Sequence, residues 1–256
     1  MQSAKMPGML FTDDEIERYA RHLVLREVGG PGQQKLKAAR VLIVGAGGLG
    51  APAALYLAAA GVGALILVDP DVVDRSNLQR QVIYTEADIG RPKAEAAADR
   101  LAALNANIFV AGSTQAFGPD NADELVEGVD LVLDGTDDFA VRYAVNEACV
   151  RHGKPLVSGA IGRWTGQVGV FGRQPCYRCL VPEIPPDAET CVAVGVVGAL
   201  AGVVGSMMAL EAVKLIVGAG EPLAGRLLIY DALAAETRTV RIGADPDCPV
   251  CGGSGK

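Results

Sequence analysis

Apolar residues recur along this chain in two rhythms. Ile16, Tyr19, Ala20, Leu23 and Val24 fall at helical spacing behind a Thr12–Glu15 capping box in TDDE, which predicts a helix with one apolar face. Arg18, Arg21, His22 and Arg26 fall off that face, toward solvent, a partner or a ligand. Val41 to Val44 then form a continuous apolar run rich in β-branched residues, the pattern of a strand covered on both sides. Similar runs follow at ALILVD from Ala64, LVLDGTD from Leu131 and PLVSGA from Pro155. Helical patterns separate them: a stretch from Gly50, a helix led by Pro92 to Leu104, and another through Ala148. That alternation predicts right-handed β-α-β crossovers, hence an α/β fold with a doubly wound, Rossmann-like, mostly parallel sheet. From Trp164 the pattern changes to GQVGVFG, a Pro-rich loop bearing cysteines, a Gly/Ala-rich helix and the strand-like runs RLLIYD and TRTVRI. A smaller C-terminal lobe is expected there, beyond a boundary near Gly172.

Composition narrows the function classes. Of 256 residues, 50% are apolar and 21% charged, which excludes disorder, collagen-like repetition and a coiled coil. The net charge of -7 argues against a protein that grips nucleic acid by neutralising phosphates. Six cysteines are too few for a disulfide scaffold, and residues 1–11 carry no apolar leader, so a reducing, cytoplasmic setting is expected. Cys191 to Leu210 is long enough to span a bilayer without a charge. Its Gly, Ala and Val content, and its run straight into Glu211 and Lys214, predict a buried helix and no membrane association.

GAGGLG, Gly45 to Gly50, sits between a strand and a helical stretch, where glycines let the backbone approach a phosphate at a helix N-terminus. Asp69 closes the next strand, where a carboxylate accepts from a ribose hydroxyl. These two features alone specify a nucleotide, with a dinucleotide as the default. SNLQRQ (Ser76 to Gln81) and RPK (Arg91 to Lys93) change that if Asn77, Arg80 and Lys93 converge on the same end of the sheet; solvated surface charges are the rival reading of Arg80 and Lys93. A dinucleotide needs less positive charge than this, and a triphosphate suits it. In the TDD run at the end of the Leu131 strand, Asp137 or Asp134 is placed to hold Mg²⁺, and Asp138 reads equally as a helix cap.

Cys176 and Cys179 in CYRC, with Cys248 and Cys251 in CPVC, make two CxxC pairs. Four thiolates suit one closed, structural Zn²⁺ site per chain; a redox-active pair or unrelated free thiols are the rival readings. Cys191 precedes a long helical pattern that would lower its pKa, so it reads either as a nucleophile or as an unreactive loop or buried cysteine. Cys149, in an apolar helical pattern, reads as core.

The series RYARH, GAGGLG, Asp69, SNLQRQ, RPK, LVLDGTDD, PLVSGAI, PCYRCL, ETC and CPVCG resembles the ThiF/MoeB/HesA family, bacterial relatives of ubiquitin-activating enzymes, in order and spacing over essentially the whole chain. Within the family it is most similar to the MoeB-type molybdopterin-synthase adenylyltransferases that lack a rhodanese domain. The resemblance implies one adenylation domain over residues 1–256, with a nucleotide-binding half over 1–172 and a zinc-bearing, carrier-binding half over 173–256. It implies ATP- and Mg²⁺-dependent adenylation of the C-terminal glycine carboxylate of a small ubiquitin-like sulfur carrier ending in Gly-Gly, preparing it for thiocarboxylation in molybdenum cofactor synthesis. Carriers of the thiamine or another sulfur pathway are the alternative, and the sulfur donor is not specified. The implied ATP residues are Gly45, Gly47, Gly48, Asp69, Ser76, Asn77, Arg80, Lys93 and Asp137, and Arg21 is implied to act across a homodimer interface. Arg21, Arg80, Lys93 and Asp137 would be the catalytic set. The chain departs from the family in TDD, where TDN is common, and in His22, where Gln is common. A nicotinamide-dependent oxidoreductase and a catalytically silent binding module of the same fold are the competing classes; the phosphate-facing cations argue against the first and the intact site residues against the second.

Overall fold

In strand β1 (Arg40–Val44), Val41 and Ile43 face one apolar cluster while Leu42 and Val44 face another. Both faces are covered, which is why the run is apolar without alternation. The structure, a computed structural model, describes residues 11–184 and 195–252. β1 pairs in parallel with β2 (Ala64–Val68) on one edge and β4 (Leu131–Asp134) on the other; β3 (Phe109–Ser113) joins β2, and β5 (Leu156–Ile161) joins β4, also in parallel. The antiparallel strands β6 (Thr165–Phe171), β7 (Arg226–Asp231) and β8 (Glu236–Arg241) extend the same sheet, giving the order β3-β2-β1-β4-β5-β6-β7-β8. The mixed, mostly parallel sheet matches the expected fold class, and beyond Gly172 strands β7 and β8 continue its edge.

Helices α3 (Gly29–Ala38), α4 (Gly50–Ala60), α5 (Lys93–Leu104) and α9 (Gly198–Val217) contribute to the cluster on one face; α6 (Ala122–Glu127), α7 (Phe139–His152) and α8 (Tyr177–Leu180) contribute to the other. The apolar run expected from Cys191 becomes helical at Gly198 and continues past Glu211 and Lys214; residues 185–194, including Cys191, lie outside the described residues. α9 is the one described helix long and apolar enough to cross a membrane. It packs instead into the core, burying Leu200, Val204, Met208 and Ala212 beside α4 and β5. Gly205 lets it approach so closely that a Cβ there would strike Pro52 and the Leu49 carbonyl.

The first helix departs from expectation. The Thr12 capping box forms, but the helix breaks at Tyr19 into α1 (Asp13–Arg18) and α2 (Ala20–Leu23). Tyr19 turns inward onto Gly61, and its hydroxyl accepts a 2.9 Å hydrogen bond from Asn105 Nδ2. That one anchor replaces the apolar stripe: Ile16 and Val24 are 37% and 79% exposed.

Candidate active site and metal centre

The glycine-rich turn is set by two backbone requirements. Gly45 has φ +88°, and a Cβ on Gly50 would overlap the Gly45 carbonyl oxygen, so neither position accepts a side chain without moving the turn. The turn is then pinned from behind. Asp69 Oδ2 accepts from the Ala46 N–H at 2.8 Å and Oδ1 from the Asp71 N–H at 2.9 Å. The Tyr84 hydroxyl donates to the Ala46 carbonyl at 2.8 Å. Burial pushes the Asp69 carboxyl above its usual range, against the lowering effect of those N–H groups and Lys93. Burial, reinforced by Asp69, raises the Tyr84 phenol too, so it remains a donor.

The turn opens on a cleft of about 740 Å³ at the carboxyl ends of β1, β2 and β4. Gly45, Gly47, Gly48, Asp69, Asn77, Arg80, Lys93 and Asp137 all line it. Asn77 Oδ1 accepts from the Asp74 N–H at 3.1 Å, fixing its side chain on a single 3₁₀ turn. Arg80 Nη1 donates at 3.0 Å to the carbonyl of Ser76, which itself is exposed and outside the lining. Lys93 opens α5, is buried, and donates to Asp71 Oδ2 at 2.8 Å. Its ammonium has three donors, so this bond leaves two for a ligand. Arg21 stands exposed on α2 and is not part of the lining. His22 Nδ1 meets Gln33 Oε1 at 2.9 Å, so it serves the packing of α2 on α3.

The three aspartates at and just beyond the end of β4 separate cleanly. Asp138 Oδ1 accepts from the Ala140 and Val141 N–H groups, capping α7. Asp134 is buried and accepts from Ser158 Oγ at 2.7 Å and the Thr136 N–H at 3.0 Å. Asp137 is exposed in the cleft wall. Among the lining residues that sequence reasoning missed are Asp71, Arg142 and Tyr177. Arg142 is buried, donates to the Thr136 and Gly159 carbonyls and to the Tyr177 hydroxyl, and has Nε 3.6 Å from Asp134 Oδ2. Burial opposes its charge, but Asp134 and Tyr177 hold its pKa above the ordinary value. A lone cation between Val141 and Tyr143 in an otherwise apolar helical stretch was the signal available for it.

The four cysteines of the two CxxC pairs meet. Their sulfur atoms all lie within 4.8 Å of one another, with Cys176–Cys248 at 3.6 Å and Cys179–Cys251 at 3.3 Å. Four ligands about 2.3 Å from a tetrahedral zinc are separated by about 3.8 Å, so the cluster has the dimensions of such a site. The fit draws the CPVC turn onto the start of α8. Tyr177, between the two cysteines of the first pair, carries the connection to Arg142 and the cleft. Cys149 is buried, and burial pushes its thiol up to about 12, as expected of a core residue.

Comparison with known proteins agrees with this geometry. The ThiF family profile matches residues 19–250. A sulfur carrier protein adenylyltransferase of Thermus thermophilus is 49% identical over 253 residues, covering 95% of this chain and 93% of that protein. A SAMP-activating enzyme E1 of Haloferax volcanii is 48% identical over 244 residues, covering 94% and 90% respectively. Among solved structures, E. coli MccB crystallised with MccA-N7isoASN superposes with a TM-score of 0.82 at 25% identity, over 92% of this chain and 75% of that one. The glycine turn, the cleft-lining cations and the four-cysteine cluster thus occur in a chain that belongs to the ThiF family.

Proposed function

We propose that this chain transfers AMP from ATP to the C-terminal glycine carboxylate of a small ubiquitin-like sulfur carrier protein. The observation that carries the reading is the meeting of Asn77, Arg80 and Lys93 with the Gly45–Gly50 turn and Asp69 in one cleft. In the reaction a carboxylate oxygen bonds to the α-phosphorus while the bond to pyrophosphate breaks, leaving an acyl adenylate. A glycine carboxylate is already ionised at neutral pH, so no general base is needed. Neither histidine lines the cleft: His22 meets Gln33 and His152 meets Asp123. The barrier is repulsion between anions, lowered by position and by fixed positive charge.

In this reading Asp69 accepts from the ribose while keeping its two N–H donors, and the N–H groups of Gly47 and Gly48 with Ser76 and Asn77 bind phosphate oxygens. Arg80 and Lys93 stabilise the charge that develops on the α-phosphate and pyrophosphate. Asp137, the carboxylate left free by the cap at Asp138, would hold Mg²⁺, which supplies further positive charge to the phosphates. Cys176, Cys179, Cys248 and Cys251 would hold one structural Zn²⁺. A division at residue 172 then separates the nucleotide-binding half from the metal-bearing, carrier-binding half. Arg21, exposed and outside the lining of its own cleft, fits a homodimer in which it completes the partner's site. The exposed Val24 and Ile16 beside it suit such an interface. Four reduced thiols fit a cytoplasmic setting. The carrier we favour is that of molybdenum cofactor synthesis, with a thiamine-pathway carrier as the alternative.

ATP–pyrophosphate exchange tests the proposal, with the purified chain alone and with each candidate carrier bearing an intact Gly-Gly end. Exchange with one carrier only is expected and would name the pathway. No exchange with any carrier, by protein that binds ATP, would return the chain to the binding-module reading.

A further inference from the structure

Asn146 lies one helical turn beyond Arg142 on α7 and is 1% exposed. Half of its carboxamide is employed, with Oδ1 accepting from the Tyr177 N–H at 2.7 Å, beside the first cysteine of CYRC. The other half is not: among the described residues, buried Nδ2 has no hydrogen-bond partner. A leucine would fill similar space without leaving a buried donor unmatched, so the amide calls for an acceptor. The group it lies against is the fully buried Cys176 thiol. Burial pushes that thiol up, and the Asn146 amide is foremost among the groups that act against the rise. A neutral thiol accepts hydrogen bonds weakly. A metal-bound thiolate accepts well, and a metal ion makes one there by displacing the thiol proton to solvent. The cluster already holds a contact of this kind, since Cys179 Sγ accepts from the Asp245 N–H at 3.5 Å.

We propose that Asn146 is a positioning residue of the four-cysteine metal centre, its Nδ2 donating to the metal-bound sulfur of Cys176 while Oδ1 holds the Tyr177 backbone. The proposal rests on the four-thiolate reading. Four thiolates outweigh the charge of one divalent ion, and Cys176, Cys248 and Cys251 are all buried, so donors in place of water must meet the excess. Asn146 does so at Cys176, and an uncharged donor tolerates burial before the ion arrives better than a cation would. The two ends of one carboxamide then fix the Cys176–Tyr177 step on α7, the helix that carries Arg142 into the cleft.

The native chain, labelled with ¹⁵N-asparagine and stripped of metal, tests this without a substitution. On loading with ¹¹³Cd²⁺ in place of zinc, an Asn146 Nδ2 proton should move downfield and couple to the metal through the sulfur. Asn146→Asp then isolates the donor, because it keeps an oxygen for the Tyr177 N–H but sets a carboxylate against the Cys176 sulfur. Zinc affinity, measured by competition with a chromophoric chelator, should fall about 10- to 100-fold. With Co²⁺ in the site, the sulfur-to-metal charge-transfer band should move to longer wavelength as the sulfur loses its donor, while the d–d bands stay those of a tetrahedral centre. An Asn146 Nδ2 resonance that the metal leaves unmoved overturns the assignment, and so does a zinc affinity in Asn146→Asp within about threefold of native. A lowered Tm of the metal-free variant with the charge-transfer band unshifted also overturns it, as the signature of packing alone. A native chain that binds none of the three ions would defeat the four-thiolate reading itself, and this assignment with it.

Discussion

Replacing Arg142 by Met isolates the buried polar knot beneath the cleft. Met occupies much of the arginine stem's volume but leaves Asp134, 1% exposed, without its counter-charge. The Gly159 carbonyl loses a 2.8 Å donor, and the Thr136 carbonyl loses its donor as well. Removing one partner of a buried ion pair costs about 3–5 kcal/mol. Asp134 retains bonds from Ser158 and Thr136, which places the loss near the lower end, at about 3 kcal/mol. A single domain holds only about 5–15 kcal/mol, so the variant folds with most of its margin gone. At about 2–4 °C per kcal/mol for a chain of this size, Tm falls by about 6–12 °C. Urea unfolding with a two-state fit, supported by a thermal scan, measures the loss. Adding Asp134→Asn removes the stranded charge and should recover more than half of it. A loss below about 1 kcal/mol in Arg142→Met, or a double variant no more stable than the single one, would show that the pair does not hold the knot.

Other expectations follow from the same geometry. Gly50→Ala sets a methyl into the Gly45 carbonyl oxygen and should cost more than about 3 kcal/mol, whereas Gly48→Ala, whose methyl meets Ala201 Cβ at 3.5 Å, should stay within about 1 kcal/mol; equal Tm values for the two would refute the steric account. Purified protein from metal-replete medium should release about one zinc per chain to a chelator and lose Tm as it does; a metal content near zero would sink the four-thiolate site. Arg80→Ala should slow carrier-dependent exchange by about 10²–10³-fold, and a change under about threefold would remove Arg80 from the phosphate site.

Residue type and period were enough for the sheet and its first crossovers. Val41–Val44, Ala64–Val68, Leu131–Asp134 and Leu156–Ile161 became strands because each is short, apolar and bounded by Gly, Pro or Asp. The weakly patterned elements were not legible in the same way. α3 begins GGPG and β3 ends AGS, sequences with little local preference that are held by contacts with α9 and with β2. The helix around Tyr19 went wrong for a related reason: its spacing promised a stripe, while one long-range bond to Asn105 made a break more favourable.

The sequence by itself determined the chemistry available: a glycine-rich turn that needs Gly45 and Gly50, a carboxylate at the end of the next strand, an Asn-Arg-Lys set and two CxxC pairs. These are local properties, written in residue type and short spacing. What only the tertiary structure decided is which groups share a space. It brought Cys176–Cys179 to Cys248–Cys251, assigned Asp138 to a helix cap while leaving Asp137 in the cleft, and joined Arg142 on α7 to carbonyls of the turn after β4 and of β5. Among the described residues, it also left the Gln81 amide oxygen without a hydrogen-bond partner. Each outcome depends on distances between segments far apart in the chain, and these are set by the packing of helices on the sheet, which no local pattern encodes.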